Sequence, residues 1–263
     1  MNLNLTHRVA AVAASSAGLG YASALTLAQE GCRVAMCARR PEKLEAAAQS
    51  IRDETGVDVL TVPMDMSDPN SPAHFVNLTV GYFGQLDIIV ANAGGPPSGP
   101  FTDMGDAEWA LAVDRNLMSA VRIFRAGLPY VLESDQGRLV AITSFSAKQP
   151  LLNMVLSNAT RAAVHGMVKT LSKEIAASGV TVNAVLPGII RTDRITELAQ
   201  QAAERNGTNL DEEFAAFAAT IPMGRLGDPM EFGAAVAFLC SQQAAFISGV
   251  ALPVDGNLLA GLP

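Results

Sequence analysis

Only three cysteines, three histidines and three tyrosines occur in these 263 residues, and aromatic residues make up 5% of the chain. Cys32, Cys37 and Cys240 are odd in number and show no CxxC spacing, which favours buried, reduced thiols in a cytoplasmic protein over disulfides or a metal site. His7, His74 and His165 are too far apart in sequence to suggest a metal centre, and none is expected. Basic residues are also in deficit: the formal net charge of -7 argues against nucleic acid as a main partner, because phosphate binding needs a basic surface. No apolar run approaches the roughly 20 residues of a membrane span, so no membrane partner is expected. The run Val9 to Ala14 is too short for a signal peptide and leads into glycines, which reads better as a buried strand.

With 49% hydrophobic and 16% charged residues, there is material for one sizeable core. Short β-branched or apolar runs alternate with longer helix-period segments along almost the whole chain, the pattern of βαβ units and a parallel sheet. Strands are expected near residues 9–13, 33–38, 59–63, 86–91, 138–143, 181–186 and 250–253. The fold class is therefore α/β: one domain over residues 1–263, a Rossmann-type doubly wound parallel sheet of seven strands flanked by helices. A polar, Ala-rich pair of helical patterns around Asn206-Gly207 breaks the alternation, and residues 191–223 read as a substrate-side lid insertion.

In such a sheet, ligands bind at the carboxyl ends of the strands, so the turn after the first strand is the place to look. It reads Ala13-Ala14-Ser15-Ser16-Ala17-Gly18-Leu19-Gly20. Gly18, Leu19 and Gly20 let backbone amides and a helix N-terminus approach a pyrophosphate, and the hydroxyls of Ser15 and Ser16 can donate to it. Further along stand Asp65-Met66, Asn92-Ala93-Gly94 after an apolar run, Asn116 in VDRNL, Pro187-Gly188-Ile189 with Thr192 following, and Val254-Asp255-Gly256. In this order and spacing the motifs resemble the short-chain dehydrogenase/reductase superfamily over nearly the whole chain, with Ala13 and Ala14 replacing a threonine and a glycine of the family turn. The resemblance implies that Asp65 and Met66 hold an adenine. It implies that Asn92, Ala93 and Gly94 border the ribose, and that Pro187, Gly188, Ile189 and Thr192 position a nicotinamide. It also implies a homotetramer or homodimer, with helices over Leu117 to Leu132 and Val155 to Ala177 at one interface and the tail Leu258 to Pro263 near another.

An acidic side chain after the second strand would grip the ribose hydroxyls of NAD, and Ala38 stands there instead. Arg39 and Arg40 follow, and a guanidinium suits the 2′-phosphate of NADP through charge-assisted bidentate bonds. NADP is thus the expected cofactor, with NAD less favoured.

The reaction centre departs from the family. Ser144 matches the serine that polarises the carbonyl, and Asn116 the helix asparagine, but Ser157 stands where a tyrosine is expected and Arg161 where a lysine is expected. Tyrosine titrates near ~10 and an aliphatic hydroxyl near water's ~15.7. That gap is worth on the order of 8 kcal/mol in proton affinity. Arg161 keeps a positive fork able to hold ribose hydroxyls but cannot exchange a proton. Lys148, in the loop after Ser144, is a further candidate donor, since burial would convert it into a general acid. A water held by Asn116 and Arg161 is another. His165 reads as a packing residue.

These residues point to an NADP-dependent oxidoreductase acting on a small-molecule or acyl-carrier-bound carbonyl, with a site resembling degenerate relatives of the β-ketoacyl-acyl carrier protein reductases. Two alternatives stand beside it: a non-catalytic NADP-binding sensor or assembly subunit, and a scaffold that binds no dinucleotide.

Overall fold

The structure is a computed structural model that describes residues 2–261. Met1 and the tail residues Leu262 and Pro263 lie outside the described residues. Seven parallel strands form one sheet: β1 Val9–Val12, β2 Arg33–Ala38, β3 Val59–Pro63, β4 Ile88–Ala91, β5 Arg138–Ile142, β6 Thr181–Pro187 and β7 Ala251–Val254. Their order is β3-β2-β1-β4-β5-β6-β7, so the direction of winding reverses between β1 and β4. The central strands VAAV, IIVA and RLVAI are buried at every position. Apart from Arg138 they are continuously apolar rather than alternating, because helices cover both faces.

Those helices are α1 Gly18–Gln29, α2 Pro41–Thr55, α3 Ser71–Phe83, α4 Asp106–Ala112, α5 Ser119–Glu133, α6 Val155–Glu174, α7 Asp193–Asn206, α8 Leu210–Ala219 and α9 Pro229–Cys240. One core, with Leu27, Leu44, Ile88 and Phe232, joins the sheet to α1, α2 and α9. The other, with Phe75, Ile89, Phe124 and Val168, joins it to α3, α5 and α6. Between α4 and α5 the rod passes through a π-helical turn, Val113–Met118, which contains Asn116. Such turns insert one residue into a helix and recur at functional sites.

The amino end of the sheet is closed by polar side chains. Asp87 accepts from the Val9 amide at 2.7 Å and from Ser134 Oγ at 2.6 Å. The buried Arg138 guanidinium donates to the carbonyls of Ser241 and Gly137. At the carboxyl end, α7 and α8 form the helical pair expected around Asn206-Gly207. Their corner is held by the Glu213 carboxylate, which accepts from Asn206 Nδ2 and Thr208 Oγ1. Arg191 lies 4.7 Å from the Phe214 ring centroid, fastening the segment after β6 to α8. Among the described residues, no helix is long and apolar enough to cross a membrane.

Candidate active site

A cleft of about 690 Å³ opens above the carboxyl ends of β1, β2 and β4. Its floor is the turn after β1, and the residues there divide into lining and bracing. Ser16, Gly18 and Leu19 line the cleft. Ser15 does not: it is fully buried and its hydroxyl donates to the Val12 carbonyl at 2.9 Å, so it braces the turn and has no hydroxyl free for a phosphate. Ala14 occupies the left-handed region at φ 48. Its carbonyl accepts from Asn92 Nδ2 at 3.2 Å, which ties the turn to the residues after β4. Gly20 is required where it stands, because a Cβ would collide with the Ala14 carbonyl and come within 2.8 Å of Asn92 Nδ2. The N-cap residue of α1, Ala17, supplies no capping side chain. The first amides of α1 are therefore left to receive an anion.

The rim beside β2 is cationic. Ala38, Arg39, Arg40 and Lys43 all line the cleft, and Lys43 Nζ reaches Asp193 Oδ2 of α7 at 2.8 Å. Asp65 and Met66 line the next stretch. Burial alone would raise the Asp65 carboxyl, but the amide and hydroxyl of Ser67, then Arg39 and Arg115, hold it below its ordinary value. Asn92, Ala93 and Gly94 follow, with Pro187, Gly188 and Thr192 across the cleft. Gly188 packs so closely on Asp255 that a Cβ would stand 2.6 Å from the Asp255 Cα, and its amide bonds Val254 at 3.0 Å. The Pro-Gly and Val-Asp-Gly motifs are thus two sides of one contact. Ile189, by contrast, turns away from the cleft and lines a separate cavity of about 380 Å³ with Ile221 and Met223.

The third zone joins β5, α6 and the π-helical turn, and its polar groups are directed inward. Ser144 Oγ accepts from the Ser146 amide at 3.1 Å, which leaves its proton free to donate. Ser157 lies on the first turn of α6, 4% exposed, with no protein partner recorded for its hydroxyl among the described residues. Arg161 departs from the expected ribose-holding posture. Its Nη1 donates to the carbonyls of Ile142 and Thr143 at 3.3 and 2.9 Å, and the guanidinium does not line the cleft. Burial of this cation, with no carboxylate beside it, pushes its pKa down to about 10. The strand-end carbonyls are the acceptors within reach, which explains the posture. Asn116 Nδ2 donates to Thr160 Oγ1 at 3.2 Å, while its Oδ1 is buried without a donor.

Lys148 is likewise diverted, its Nζ donating to the Ala251 carbonyl at 3.1 Å rather than facing the cleft. His165 packs as expected: Nε2 lies 2.8 Å from Thr143 Oγ1, and burial, then the charges of Lys148 and Arg161, lower its pKa to about 4. None of the three tyrosines lines the cleft. Tyr82 reaches Asp58 at 3.2 Å, and Tyr21 and Tyr130 pack against the two cores. No cluster of metal-ligating side chains is present among the described residues.

The sequence model described as Enoyl-(Acyl carrier protein) reductase matches residues 13–258. The chain belongs to the short-chain dehydrogenase/reductase superfamily. It is 34% identical to the 3-oxoacyl-[acyl-carrier-protein] reductase FabG of Vibrio cholerae, over 97% of this chain and 99% of that one. L-sorbose reductase from Gluconobacter frateurii, solved with NADPH and L-sorbose, superposes with a TM-score of 0.96 at 31% identity, covering both chains fully. A short chain oxidoreductase from Pseudomonas aeruginosa PAO1, described as containing an atypical catalytic center, superposes at 0.90 with 30% identity, over 97% of this chain and 98% of that one.

Sequence reasoning missed Lys43, Arg115 and Asp193, all of which line the cleft. Lys43 was within reach of a periodicity argument, since Arg40 and Lys43 stand three apart at the start of one helix. Arg115 adjoins Asn116 in VDRNL, and its Nη1 turns toward the Gly95 carbonyl at 3.5 Å. Asp193 carried no local signal.

Proposed function

We propose that the chain is an NADP(H)-dependent oxidoreductase that reduces a carbonyl, or oxidises the matching alcohol, with a 3-oxoacyl thioester or related ketone as substrate class. The observation that carries this reading is the cationic rim of Arg39, Arg40 and Lys43 at the end of β2, where Ala38 leaves no acid to grip a 2′-hydroxyl. The fit extends along the cleft. The uncapped amides of α1 receive the pyrophosphate, Asp65 and Met66 border the adenine, and Pro187, Gly188 and Thr192 flank the nicotinamide. When bound, the cofactor supplies or accepts the hydride.

The chain's own residues then have separate tasks. Ser144 donates a hydrogen bond to the substrate oxygen, since its lone pair is engaged by Ser146 and its proton is free. Ser157 adds a second hydroxyl from α6 but is a weak acid. Arg161 fixes the end of β5 through Ile142 and Thr143, keeping the adjoining Ser144 in place. Asn116 Oδ1, a buried acceptor with no donor, is suited to hold the water that delivers the proton. Helices α7 and α8 act as the lid over the substrate, and the exposed sides of α5 and α6 serve subunit contact in a cytoplasmic homotetramer or homodimer.

NADPH oxidation measured across ketones and β-ketoacyl thioesters tests this reading. Turnover with at least one of them, falling about 10²- to 10³-fold in Ser144→Ala with unchanged NADPH binding, is the expected result. A second reading, a cofactor sensor without chemistry, is favoured by Ser157 and by the engagement of Arg161 with the backbone. It predicts NADPH binding with no turnover on any carbonyl.

A further inference from the structure

Lys43 and Asp193 stand 150 positions apart in the chain yet close one side of the cleft with an ion pair of 2.8 Å. Lys43 belongs to the first turn of α2, and Asp193 is the first residue of α7. Asp193 does not cap its own helix, since the N-cap is Thr192, and its carboxylate instead extends across the gap. The hydrogen bond from Lys43, then the charges of Lys43 and Arg40, hold the Asp193 carboxyl below its ordinary value. Arg40, Lys43 and Asp193 all line the cleft, and the Asp193 carboxylate lies within the field of both cations.

As an exposed pair it contributes little to stability. Its importance lies in its position. A phosphate monoester carries a charge of about −1.5 to −2 near neutral pH, against −1 for a carboxylate, and offers more acceptor oxygens.

We infer that Asp193 is a specificity-determining residue: it occupies the Lys43 ammonium in the subsite that receives the 2′-phosphate of NADP(H), so that carboxylate and phosphate compete for one cation. The inference rests on the NADP(H) reading above. NAD(H), which has no phosphate there, leaves the pair intact. NADP(H) separates it and unfastens α7 from α2, so the chain distinguishes the two cofactors partly through a residue of the lid.

Calorimetric titration of the full chain with 2′,5′-ADP and with 5′-AMP tests this without turnover. Asp193→Asn is expected to bind 2′,5′-ADP about two- to fivefold tighter while its affinity for 5′-AMP stays unchanged. Lys43→Met weakens 2′,5′-ADP, and in that background Asp193→Asn has no further effect. An equal gain for both ligands, or no gain for 2′,5′-ADP, overturns the inference. So does a gain that persists without Lys43, because it would come from the general field of a removed negative charge. Failure of both wild type and Asp193→Asn to bind 2′,5′-ADP overturns the NADP(H) reading along with the inference. Binding of 2′,5′-ADP without the selective response overturns the inference alone.

Discussion

At the β2 end of the cleft, Arg39 and Arg40 face the open space, whereas at the β5 end Arg161 is folded onto the carbonyls of Ile142 and Thr143 and keeps 9% of its surface exposed. The same contrast separates Ser16, which lines the cleft, from Asn116, whose amide is bound to Thr160. A cation facing solvent can be used by an arriving anion without dismantling anything. One that satisfies strand-end carbonyls must first abandon them, leaving buried acceptors at a penalty of about 1–3 kcal/mol. The two zones therefore differ in what their cations are free to do: the arginines beside β2 are open to a ligand, and Arg161 is committed to holding the end of β5 in place.

The strongest way to break this contrast is to install the tyrosine and lysine that the sequence resemblance leads one to expect. Ser157→Tyr combined with Arg161→Lys is expected to raise carbonyl turnover about 10²-fold, the lower bound for a positioned general acid. The bulk of the added ring costs about 1–3 kcal/mol in a melt. Steady-state rates and thermal denaturation of the same preparation check both halves. Next in size, Arg39→Ala with Arg40→Ala should weaken NADPH about tenfold or more while NADH is little altered, since each charge-assisted hydrogen bond contributes about 1.5–3 kcal/mol. Equal losses for both cofactors would place the arginines outside the 2′-phosphate subsite.

A third measurement sharpens the packed zone. Folded His165 titrates at about 4, against 6.5 for an unperturbed histidine. The unfolded chain takes up the proton first, so stability falls as pH drops from about 6.5 and levels off below about 4. Because the ring retains a partly exposed edge, the loss should be about 1–2 kcal/mol. His165→Gln, which can still meet Thr143, should flatten that slope in denaturant titrations at a series of pH values. The smallest effect concerns Ala14, held at φ 48. Ala14→Gly relieves about 1 kcal/mol of left-handed strain and should raise the melting temperature by about 2–4 °C.

The sheet was legible because each central strand is a short, largely apolar run separated from the next by a helix-period segment, and the strand positions shifted by at most two residues. The Pro187-Gly188 and Asp255-Gly256 motifs were legible as separate turns. Their contact was not, because it depends on β6 and β7 pairing in register, with Pro187 opposite Val254. Side-chain direction was harder still. Ser15 and Ser16 are chemically identical neighbours, yet one hydroxyl points back at Val12 and the other residue lines the cleft. Arg161 could be placed on the right face of α6 by its four-residue spacing from Ser157. Its choice of backbone carbonyls over open space follows from burial, which no local pattern encodes. Lys43 and Asp193 meet only because the chain returns to the same cleft after four further strands.

The π-helical turn at Val113–Met118 has one more consequence, for the tolerance of this chain to changes in length. Such a turn holds a residue that an unbroken α-helix would omit. Removing a single residue there would close the wide turn into regular α-helix, keeping α4 and α5 in phase but displacing the residues within the turn itself. Asn116 would lose its alignment with Thr160. Loops elsewhere can lengthen or shorten at little expense, but in this segment one codon separates a working geometry from a misaligned one.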